Sequence, residues 1–439
     1  MRVAVIGTGH VGLVTCVTMA EAGHDVVGMD QDVAKMEALA AGRSPFYEPG
    51  VEDLLERNVA AGRLRFTTSA REAVADADVV FICVGTPPRA SGEANLLAVE
   101  QAARQVARDA TGPLVVAQKS TVPAGSADRL HRTIALERPD IGAVIDVVSN
   151  PEFLREGKAV EDALHPDRIL VGASSERAFE VMRGVYAPFV AGGARMIETD
   201  VRSAELAKHA SNAFLALKIS YANALARIAE RAGGDVEAIT DVMGADARIG
   251  ASFLGAGLGY GGYCFPKDLV AFDHLASSLG YEFGLLKEVA KINEEAVEAA
   301  VGKVRDALWN LEGKRIAILG LSFKPDTDDV RFSPALSLAR SLAAAGADVV
   351  GYDPEAASEA LREMPELTVA DSAYDAAEGA HCLVLCTGWS EFRDLDFDKL
   401  AELMAFRLVV DGRNFFDPAA VVDAGFAYYP MGRPPVGAS

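Results

Sequence analysis

The sequence is poor in cysteine and in long apolar runs, and each shortage excludes a class of protein. Five cysteines in 439 residues are too few, and odd in number, for a disulfide framework. No apolar run approaches the roughly 18 residues that indicate a membrane span. The first residues lack a basic leader with a long apolar stretch, so we expect no secretory signal. We therefore expect a reduced, cytoplasmic location and no membrane association.

Basic residues are also outnumbered. Lysine and arginine total 42 against 63 acidic residues, a net charge of −21. Nucleic-acid binding needs a basic footprint, so this balance argues against it. Cys382 and Cys386 have even spacing, which places both on one face of a strand, and we interpret them as core residues. No second Cys or His pair lies nearby, so we predict no metal site.

The N-terminal 30 residues predict a dinucleotide-binding unit. A strand over 2–6 is followed by Gly7-Thr-Gly9-His-Val-Gly12, a helix over 10–22, a strand over 25–29 and then Asp30. The glycines allow a tight turn, a close approach of pyrophosphate to the helix N-terminus, and close packing of helix on strand. An acid at the position of Asp30 accepts hydrogen bonds from ribose and repels a 2′-phosphate. The pattern therefore favours NAD over NADP.

Three further strands, over 78–84, 114–118 and 144–149, each end in a polar turn. Ligands of parallel sheets bind outside the carboxyl ends of the strands, so Thr86, Thr121 and Glu152 are candidate site residues. Glu152 and Glu156 are four residues apart and would share a face if this piece is helical. The alternative is a solvated acidic face.

Residues 203–230 contain neither proline nor glycine and predict one long helix. Such a helix can link two domains and offer a face for dimerisation. Lys208 and Asn212 are four residues apart and project from one side, although Lys208 alone could be a surface lysine. A second helix is predicted over 287–311.

The stretch Gly259-Tyr-Gly-Gly-Tyr-Cys264-Phe-Pro-Lys267-Asp268 carries the strongest chemical signal. Glycines let the backbone approach a ligand closely, and a nearby cation turns a thiol into a better nucleophile. Lys267 supplies the cation and Asp268 a proton acceptor. The alternative is a glycine-rich turn with an inert, buried cysteine.

Residues 314–353 repeat the N-terminal pattern. A strand ends at Gly320, a helix over 335–345 follows, and a strand over 348–352 ends at Asp353. The loop at the first turn has lost the dinucleotide glycines and holds Lys324 and Arg331 instead. We interpret this half as a second Rossmann-like domain for a different phosphate-bearing ligand.

Together these features predict an α/β protein with two Rossmann-like, doubly wound domains joined by a long central helix in an all-helical middle domain. The expected parts are an N-terminal NAD-binding domain over 1–199, a central helical domain over 200–311, a C-terminal Rossmann-like domain for another phosphate-bearing ligand over 312–430, and a flexible tail over 431–439.

These motifs, in this order along nearly the whole chain, resemble those of the UDP-glucose/GDP-mannose dehydrogenases, a family of nucleotide-sugar 6-dehydrogenases. The resemblance implies a four-electron oxidation of an alcohol to a carboxylate with two NAD⁺, through a thiohemiacetal and a thioester on Cys264. The glycine-rich cysteine segment is specific to the family, whereas Gly7–Gly12 is generic. The resemblance also implies a homodimer or higher homo-oligomer, in which Arg248 reaches into the neighbouring subunit's site.

The resemblance implies three sets of site residues. The catalytic set is Cys264, Lys208, Asn212, Asp268, Thr121, Glu152 and Glu156. The cofactor set is Gly7, Gly9, His10, Val11, Gly12, Asp30, Lys35, Gly85, Thr86, Thr121, Glu156, Lys267 and Arg331. The substrate set is Glu152, Phe153, Leu154, Arg155, Glu156, Lys208, Asn212, Arg248, Phe253, Leu254, Gly255, Ala256, Gly257, Gly261 and Lys324. Lys208 and Asn212 would stabilise an oxyanion, and Asp268, Glu152 or Glu156, with Thr121, would position water and move protons.

Three alternatives stay open. The pattern favours UDP-glucose as the substrate, but GDP-mannose or another sugar nucleotide would use nearly the same motifs. A two-electron hydroxyacid dehydrogenase also joins a Rossmann domain to a long helix, but it would not need Cys264. A non-catalytic dinucleotide-binding protein would share the fold without the chemistry.

Overall fold

The computed structural model describes residues 1–437, and the chain divides into two compact units. The first unit contains Met1–Ser211 and Val270–Tyr281, and the second contains Asn212–Leu269 and Glu282–Ser439. The helical stretch that the sequence predicts as a separate middle domain is thus divided between the two units.

The first part of the chain alternates strands and helices. In order it forms β1 (Arg2–Ile6), α1 (His10–Glu21), β2 (Asp25–Met29), α2 (Val33–Ala40), α3 (Val51–Ala60), β3 (Leu64–Thr67), α4 (Ala70–Val74), β4 (Val79–Ile82), α5 (Leu97–Asp109), β5 (Leu114–Gln118), α6 (Ser126–Glu137), a 3₁₀ turn (Gly142–Val144), β6 (Ile145–Ser149), α7 (Ala159–Leu164), β7 (Arg168–Gly172), α8 (Glu176–Ala191) and β8 (Arg195–Thr199).

Eight strands of the first unit form one sheet in the order β3-β2-β1-β4-β5-β6-β7-β8. The first six are parallel neighbours, and β7 meets β6 antiparallel. The order 3-2-1-4-5-6 is the doubly wound arrangement that binds dinucleotides at the point where the strand order reverses. Apolar side chains of β1 and β4 are almost fully buried, because helices cover both faces of a parallel sheet.

Four helices follow this sheet. They are α9 (Val201–Ala232), α10 (Val236–Gly244), α11 (Cys264–Ser278) and α12 (Gly284–Leu308). The predicted long helix is confirmed as α9, which has 32 residues and is therefore about 48 Å long. Within residues 1–437, no helix is long and apolar enough to cross a membrane.

The last part of the chain forms a second sheet. Its elements are β9 (Arg315–Leu319), α13 (Pro334–Ala344), β10 (Asp348–Tyr352), α14 (Ala357–Glu363), β11 (Thr368–Val369), α15 (Ala373–Ala377), β12 (Cys382–Leu385), a 3₁₀ turn (Ser390–Asp394), α16 (Phe397–Leu403), β13 (Leu408–Asp411), α17 (Pro418–Asp423) and β14 (Ala427–Pro430). The strand order β11-β10-β9-β12-β13-β14 is again 3-2-1-4-5-6, with all neighbours parallel. The predicted second Rossmann-like sheet is confirmed, and both Cys382 and Cys386 lie in its core.

The segment after β14 differs from the flexible tail expected at 431–439. Val436 pairs with Tyr428 through two backbone hydrogen bonds of 2.8 and 2.9 Å. Gly432 donates to Glu230 near the end of α9 at 2.6 Å, and Arg433 lies 2.7 Å from Glu237. Residues 431–437 are thus tied to the second unit, while 438–439 lie outside the described residues.

Candidate active site

The glycine turn after β1 has the geometry of a pyrophosphate cradle. Gly7 has φ +88°, and a Cβ at Gly12 would lie 1.8 Å from the Gly7 carbonyl oxygen, so neither position tolerates a side chain. Gly9 is the N-cap of α1, and a Cβ there would meet no atom within 4 Å. The space is open on the side where the N-terminus of α1 attracts anions. The turn therefore fits the phosphates of a dinucleotide.

Asp30 lies at the end of β2, beside this turn. Its Oδ2 accepts hydrogen bonds from the Thr8 backbone at 3.0 Å and from Lys35 Nζ at 2.9 Å. Burial alone would raise the pKa of Asp30, but Lys35 and Thr8 outweigh it and lower the pKa. Asp30 is therefore a carboxylate at neutral pH, as an acceptor for ribose hydroxyls must be. The structure brings together Asp30 and Lys35 as the sequence predicted.

The loops after β4 and β5 meet at the same edge. Thr86 Oγ1 donates to the Thr121 carbonyl at 3.0 Å, which links two predicted cofactor residues. Gly85, next to Thr86, is exposed. The Thr121 loop is held from α9, because Glu205 accepts the backbone N–H groups of Gly125 at 2.6 Å and Ala127 at 2.8 Å. Sequence reasoning assigned Glu205 no part in the site.

Glu152 and Glu156 do not share a helix, contrary to the arrangement considered from their spacing. The chain from 150 to 155 is irregular and turns at 156–157. Glu152 Oε2 accepts the Leu154 backbone N–H at 2.6 Å, a local bond that competes with helix formation. Gly157 has φ +74°, a conformation outside a right-handed helix. The two carboxylates are held by a loop instead.

Glu152 pairs with the predicted catalytic lysine. Its Oε1 lies 3.0 Å from Lys208 Nζ, and both side chains are less than a tenth exposed. The Phe153 ring lies below the same ammonium group, 5.3 Å from its centroid. A buried cation needs such partners. Lys208 is therefore not a surface lysine, and the first unit holds its charge close to the acidic loop.

Other predicted residues of this loop face elsewhere. Arg155 is exposed, and Asp162 binds its guanidinium at 2.5 and 2.9 Å. Leu154 packs against the core of the first unit. The charge of Glu156 contributes to raising the pKa of His10, which precedes Val11 at the start of α1. The structure leaves Arg155 in a surface ion pair.

The cysteine segment belongs to the second unit, and its cysteine begins a helix. Cys264 is the first residue of α11 and is half-buried, whereas the other four cysteines are buried. A helix N-terminus stabilises negative charge, which favours a thiolate. Pro266 is tolerated because the first turn of a helix has no intrahelical N–H partners to lose. Cys264 is therefore not the fully buried cysteine of the alternative considered from sequence.

Asp268 bonds to two other predicted site residues. Its Oδ1 lies 2.5 Å from Lys267 Nζ, and its Oδ2 accepts from Asn212 Nδ2 at 2.6 Å. Asp268 is 1% exposed and Lys267 7%, so each charge depends on the other. This network joins α9 to the first turns of α11 within the second unit.

The backbone before Cys264 is clamped on several sides. Asn293 of α12 accepts from the Tyr260 N–H at 2.8 Å and donates to its carbonyl at 3.0 Å. Arg413 donates to the Gly259 carbonyl at 3.0 Å, and a Cβ at Gly261 would lie 2.4 Å from the Phe332 carbonyl oxygen. Sequence reasoning missed Asn293 and Arg413, because neither belongs to a local motif.

The predicted substrate segment 253–257 packs against the C-terminal sheet. A Cβ at Gly257 would lie 2.4 Å from the Gly412 carbonyl oxygen, whereas one at Gly255 would meet nothing within 4 Å. The Gly257 N–H donates to Asn223 Oδ1 at 2.8 Å. Leu254 is buried, Ala256 is half-buried, and Phe253 has φ +65°. A non-glycine residue with such a φ stores strain, which is concentrated at functional sites.

The remaining predicted residues lie in the second unit. Arg331 binds Asp329 at 2.6 Å, and its guanidinium lies 4.5 Å from the centre of the Tyr263 ring. Lys324 Nζ lies 5.6 Å from the centre of the Phe323 ring. Lys267 and Arg331, predicted as cofactor residues, thus belong to the unit that lacks the Gly7–Gly12 turn. Arg248 is highly exposed and binds Asp246.

The two acids that end the second strand of each sheet have different surroundings. Asp353 is 2% exposed, and its Oδ2 accepts from the Leu321 and Ser322 backbones at 2.7 and 2.9 Å and from Trp389 Nε1 at 3.0 Å. The hydrogen-bonding capacity of Asp353 is used inside the fold. It therefore stabilises the loop of the second sheet, whereas Asp30 retains an exposed edge.

Family models and known proteins match the chain over nearly its full length. Models of the UDP-glucose/GDP-mannose dehydrogenase family match residues 1–190 (NAD binding domain), 202–295 (central domain) and 317–418 (UDP binding domain). The UDP-glucose 6-dehydrogenase of Rhizobium meliloti (strain 1021) is 45% identical, covering 99% of this chain and 100% of the relative. UDP-glucose 6-dehydrogenase YwqF of Bacillus subtilis (strain 168) is 42% identical, covering 99% and 98%.

A solved structure shows the same architecture. The UDP-glucose dehydrogenase of Pyrobaculum islandicum superposes with a TM-score of 0.91 at 40% identity, covering 98% of this chain and 97% of its own. The matching NAD-binding domain model, with the geometry of Gly7–Gly12 and Asp30, identifies NAD as the cofactor. The chain therefore belongs to the UDP-glucose/GDP-mannose dehydrogenase family.

Proposed function

We propose that this protein oxidises UDP-glucose to UDP-glucuronate with two molecules of NAD⁺, through a covalent intermediate on Cys264. The observation that carries the proposal is the placement of Cys264 at the first residue of α11, a few residues before the Lys267–Asp268 pair. Full-length relatives that are named UDP-glucose 6-dehydrogenases support the choice of substrate. NAD⁺, when bound, accepts one hydride in each oxidation.

The thiol supplies what the second oxidation needs. An aldehyde bonded through sulfur becomes an sp³ thiohemiacetal, whose carbon again carries a hydride and a hydroxyl. Loss of that hydride, and of the hydroxyl proton to a base, gives a thioester on Cys264. Water then releases the uronate and restores the thiol. A serine at this position would be a poorer nucleophile, because its hydroxyl is scarcely ionised at neutral pH.

Lys208 and Asn212 are the proposed stabilisers of the oxyanion. They lie four residues apart on α9 and are both buried. Glu152 holds the Lys208 ammonium at 3.0 Å, and Asp268 orients the Asn212 amide at 2.6 Å. Fixed donors of this kind stabilise a developing negative charge without reorganisation. Each donor thus has its own carboxylate as a support.

Three carboxylates are candidates for activating the hydrolytic water, together with the Thr121 loop. Glu152 already carries the Lys208 ion pair and Asp268 the Lys267 ion pair. Glu156 lies on the acidic loop near His10. Replacing each in turn by its amide separates them, because the variant that lacks the base forms the thioester but hydrolyses it slowly.

The covalent intermediate gives the direct test. Glu152→Gln, Glu156→Gln and Asp268→Asn are mixed with UDP-glucose and NAD⁺, quenched in acid, and digested for mass spectrometry. We expect the mass of a UDP-glucuronyl group on the peptide that contains Cys264 in the variant that lacks the base, and none in a Cys264→Ala control. Uronate formation by Cys264→Ala would contradict the proposal. The same adduct with GDP-mannose alone would keep the chemistry and change the substrate.

A sugar-nucleotide site in the second unit completes the proposal. The segment 253–257, Gly261 and Lys324 are the proposed ligands, and the family model over 317–418 describes a UDP binding domain. Lys324 would bind phosphate as a cation, while Gly255 leaves room for a ligand beside the backbone. Arg331, close to Tyr263, stays a candidate for phosphate or cofactor.

We also propose that the functional form is a homodimer, formed through α9. Phe214, Tyr221 and Ile228 are 60%, 50% and 61% exposed, and their spacing of seven places them on one face of the helix. Val242 of α10 is 76% exposed. An exposed apolar patch of this kind indicates an interaction surface. Tyr221→Glu should convert a dimer to a monomer by light scattering, whereas a monomeric parent protein would contradict the proposal.

Arg248 would complete the neighbouring subunit's site. Its side chain is 89% exposed, as a residue that reaches into a partner requires. Mixed Arg248→Ala and Cys264→Ala subunits should recover part of the activity that each lacks alone, since one site of the mixed dimer is intact. No recovery from a confirmed mixed dimer would assign Arg248 to its own subunit.

Five cysteines without a disulfide support a cytoplasmic location.

A further inference from the structure

Glu48 is a buried carboxylate that touches two loops of the first unit. Its side chain is 0% exposed. Glu48 Oε2 accepts the Gly157 N–H at 2.7 Å, and Oε1 accepts the Ala159 N–H at 2.8 Å. Gly157 ends the loop that carries Glu152 and Glu156, and Ala159 is the first residue of α7. Glu48 therefore fixes the backbone at the end of the acidic loop.

The same carboxylate reaches the glycine turn. His10 Nε2 lies 3.0 Å from Glu48 Oε2, and the imidazole stacks on Phe46, two residues before Glu48, with ring centroids 4.7 Å apart. His10 is the first residue of α1, directly after Gly9. One side chain from the connection between α2 and α3 thus contacts the turn that fits pyrophosphate and the loop that carries the acids.

The charges around His10 favour its cationic form. Burial by itself lowers the pKa of an imidazole, but Glu48, with smaller contributions from Glu156 and Glu152, outweighs it and raises the pKa of His10 above its usual value. The buried Glu48 carboxylate in turn requires a positive partner or several N–H donors, and it has both. The charges of His10 and Glu48 therefore compensate each other.

We propose that Glu48 is a positioning residue, which holds the His10 cation at the N-terminus of α1 for the pyrophosphate of the cofactor and fixes the acidic loop beside it. The inference rests on the proposed function for the role of the acidic loop, but its cofactor half requires only a dinucleotide. A cation at the first residue of α1 adds to the attraction that the helix N-terminus exerts on phosphate.

Glu48→Gln keeps the shape of the side chain and removes its charge. The amide also offers one acceptor where the carboxylate offers two. We expect NADH to bind roughly 10-fold more weakly at pH 7, the effect of losing a charge-assisted interaction. Glu52→Gln is the matched control, because Glu52 is an exposed glutamate of the same region that accepts from the Ser44 backbone.

The pH dependence separates positioning from simple destabilisation. In the parent protein the affinity for NADH should fall as the pH rises through the His10 titration. Loss of Glu48 lowers the pKa of His10, so in Glu48→Gln the same fall should occur at lower pH. In His10→Gln, which leaves both backbone bonds of Glu48 intact, NADH binding should be weaker than in the parent at acidic pH and should lack this pH dependence.

Binding is measured by NADH fluorescence on the full chain, and the His10 titration by NMR of histidine labelled with ¹³C in the protein without cofactor. Neither readout needs turnover, so a failure to oxidise UDP-glucose would leave this test intact. Equal NADH affinity and equal pH profiles in the parent protein and His10→Gln would overturn the inference, even if Glu48→Gln fails to fold. An unshifted His10 titration in folded Glu48→Gln would overturn it as well.

Discussion

Asn212 Nδ2 donates to Asp268 Oδ2 over 2.6 Å, and Lys267 Nζ lies 2.5 Å from the other oxygen of the same carboxylate. The amide of α9 and the ammonium of α11 thus share one buried acid. This acid decides which way the Asn212 amide faces, because its NH₂ group must point to the carboxylate. The relationship makes Asp268 a support for the proposed oxyanion donor as well as a candidate base.

Asn212→Asp would place two carboxylates within hydrogen-bonding distance. Two such groups cannot both ionise, so the pair would retain a proton to higher pH than either acid alone. We expect kcat to fall by about 10²-fold at pH 8, as for loss of an oxyanion donor, with partial recovery as the pH is lowered. Asn212→Ala is the control, since it loses the donor without adding a charge. Identical pH profiles of kcat in the two variants would contradict this account.

Cys264→Ser should abolish the overall four-electron oxidation while NADH binding stays unchanged, because the thiol acts only after the cofactor has bound. Cys264 is half-buried and the other four cysteines are buried. Iodoacetamide should therefore modify Cys264 first, with inactivation following its modification. Peptide mapping checks the site of alkylation. A serine variant that forms uronate at the normal rate would remove Cys264 from the mechanism.

Asn293→Asp tests whether the clamp on Tyr260 positions the cysteine segment. The carboxylate would still accept the Tyr260 N–H, but it would face the Tyr260 carbonyl without a proton to donate. We expect the free energy of unfolding to fall by about 1–3 kcal/mol and kcat to fall more than the KM for NAD⁺ rises. Asn310→Asp, at an exposed site after α12, is the control. A loss of stability with unchanged kcat would limit Asn293 to a structural role.

Glu205 should give the stability of the first unit a pH dependence. Burial raises its pKa from 4.5 to about 7, against the lowering effect of the Gly125 and Ala127 N–H groups. Between pH 4.5 and 7 the folded state therefore binds more protons than the unfolded state, and the free energy of unfolding falls as the pH rises, by up to about 3 kcal/mol.

Glu205→Gln removes this titration. Urea denaturation at pH 5 and pH 8 should show a smaller loss of stability with rising pH in the variant than in the parent protein. Glu180→Gln, at an exposed site of α8, should behave as the parent does. An equal change in all three proteins would show that Glu205 keeps an ordinary pKa.

The sequence predicts the fold well where local patterns repeat. The strands at 114–118 and 348–352 have the predicted bounds, because their apolar runs are bounded by turn residues. The second Rossmann-like sheet is predictable because residues 314–353 repeat the order of residues 2–30. The order of the tail is not predictable in this way. Gly432 bonds to Glu230, which is distant in sequence, and Val436 pairs with Tyr428, which belongs to no motif.

The candidate site shows the same limit. Asp30 and Asp353 have equivalent positions in sequence, yet Asp353 accepts from Trp389 and Asp30 accepts from Lys35. Spacing alone also allowed a helix at Glu152 and Glu156. In the structure this piece is a loop, in which the Glu152 side chain accepts the Leu154 backbone N–H. Glu48 carries no motif at all, because its importance comes from the backbone of residues more than a hundred positions away.

The number of NADH molecules released per sugar nucleotide consumed distinguishes a four-electron from a two-electron oxidation, and it is measured with UDP-glucose and GDP-mannose offered separately. We predict two NADH per UDP-glucose and none with GDP-mannose. Two with GDP-mannose alone would keep the covalent mechanism and change the substrate. One NADH per UDP-glucose, with an aldehyde as the product, would contradict the thioester on Cys264 and with it the proposed four-electron oxidation.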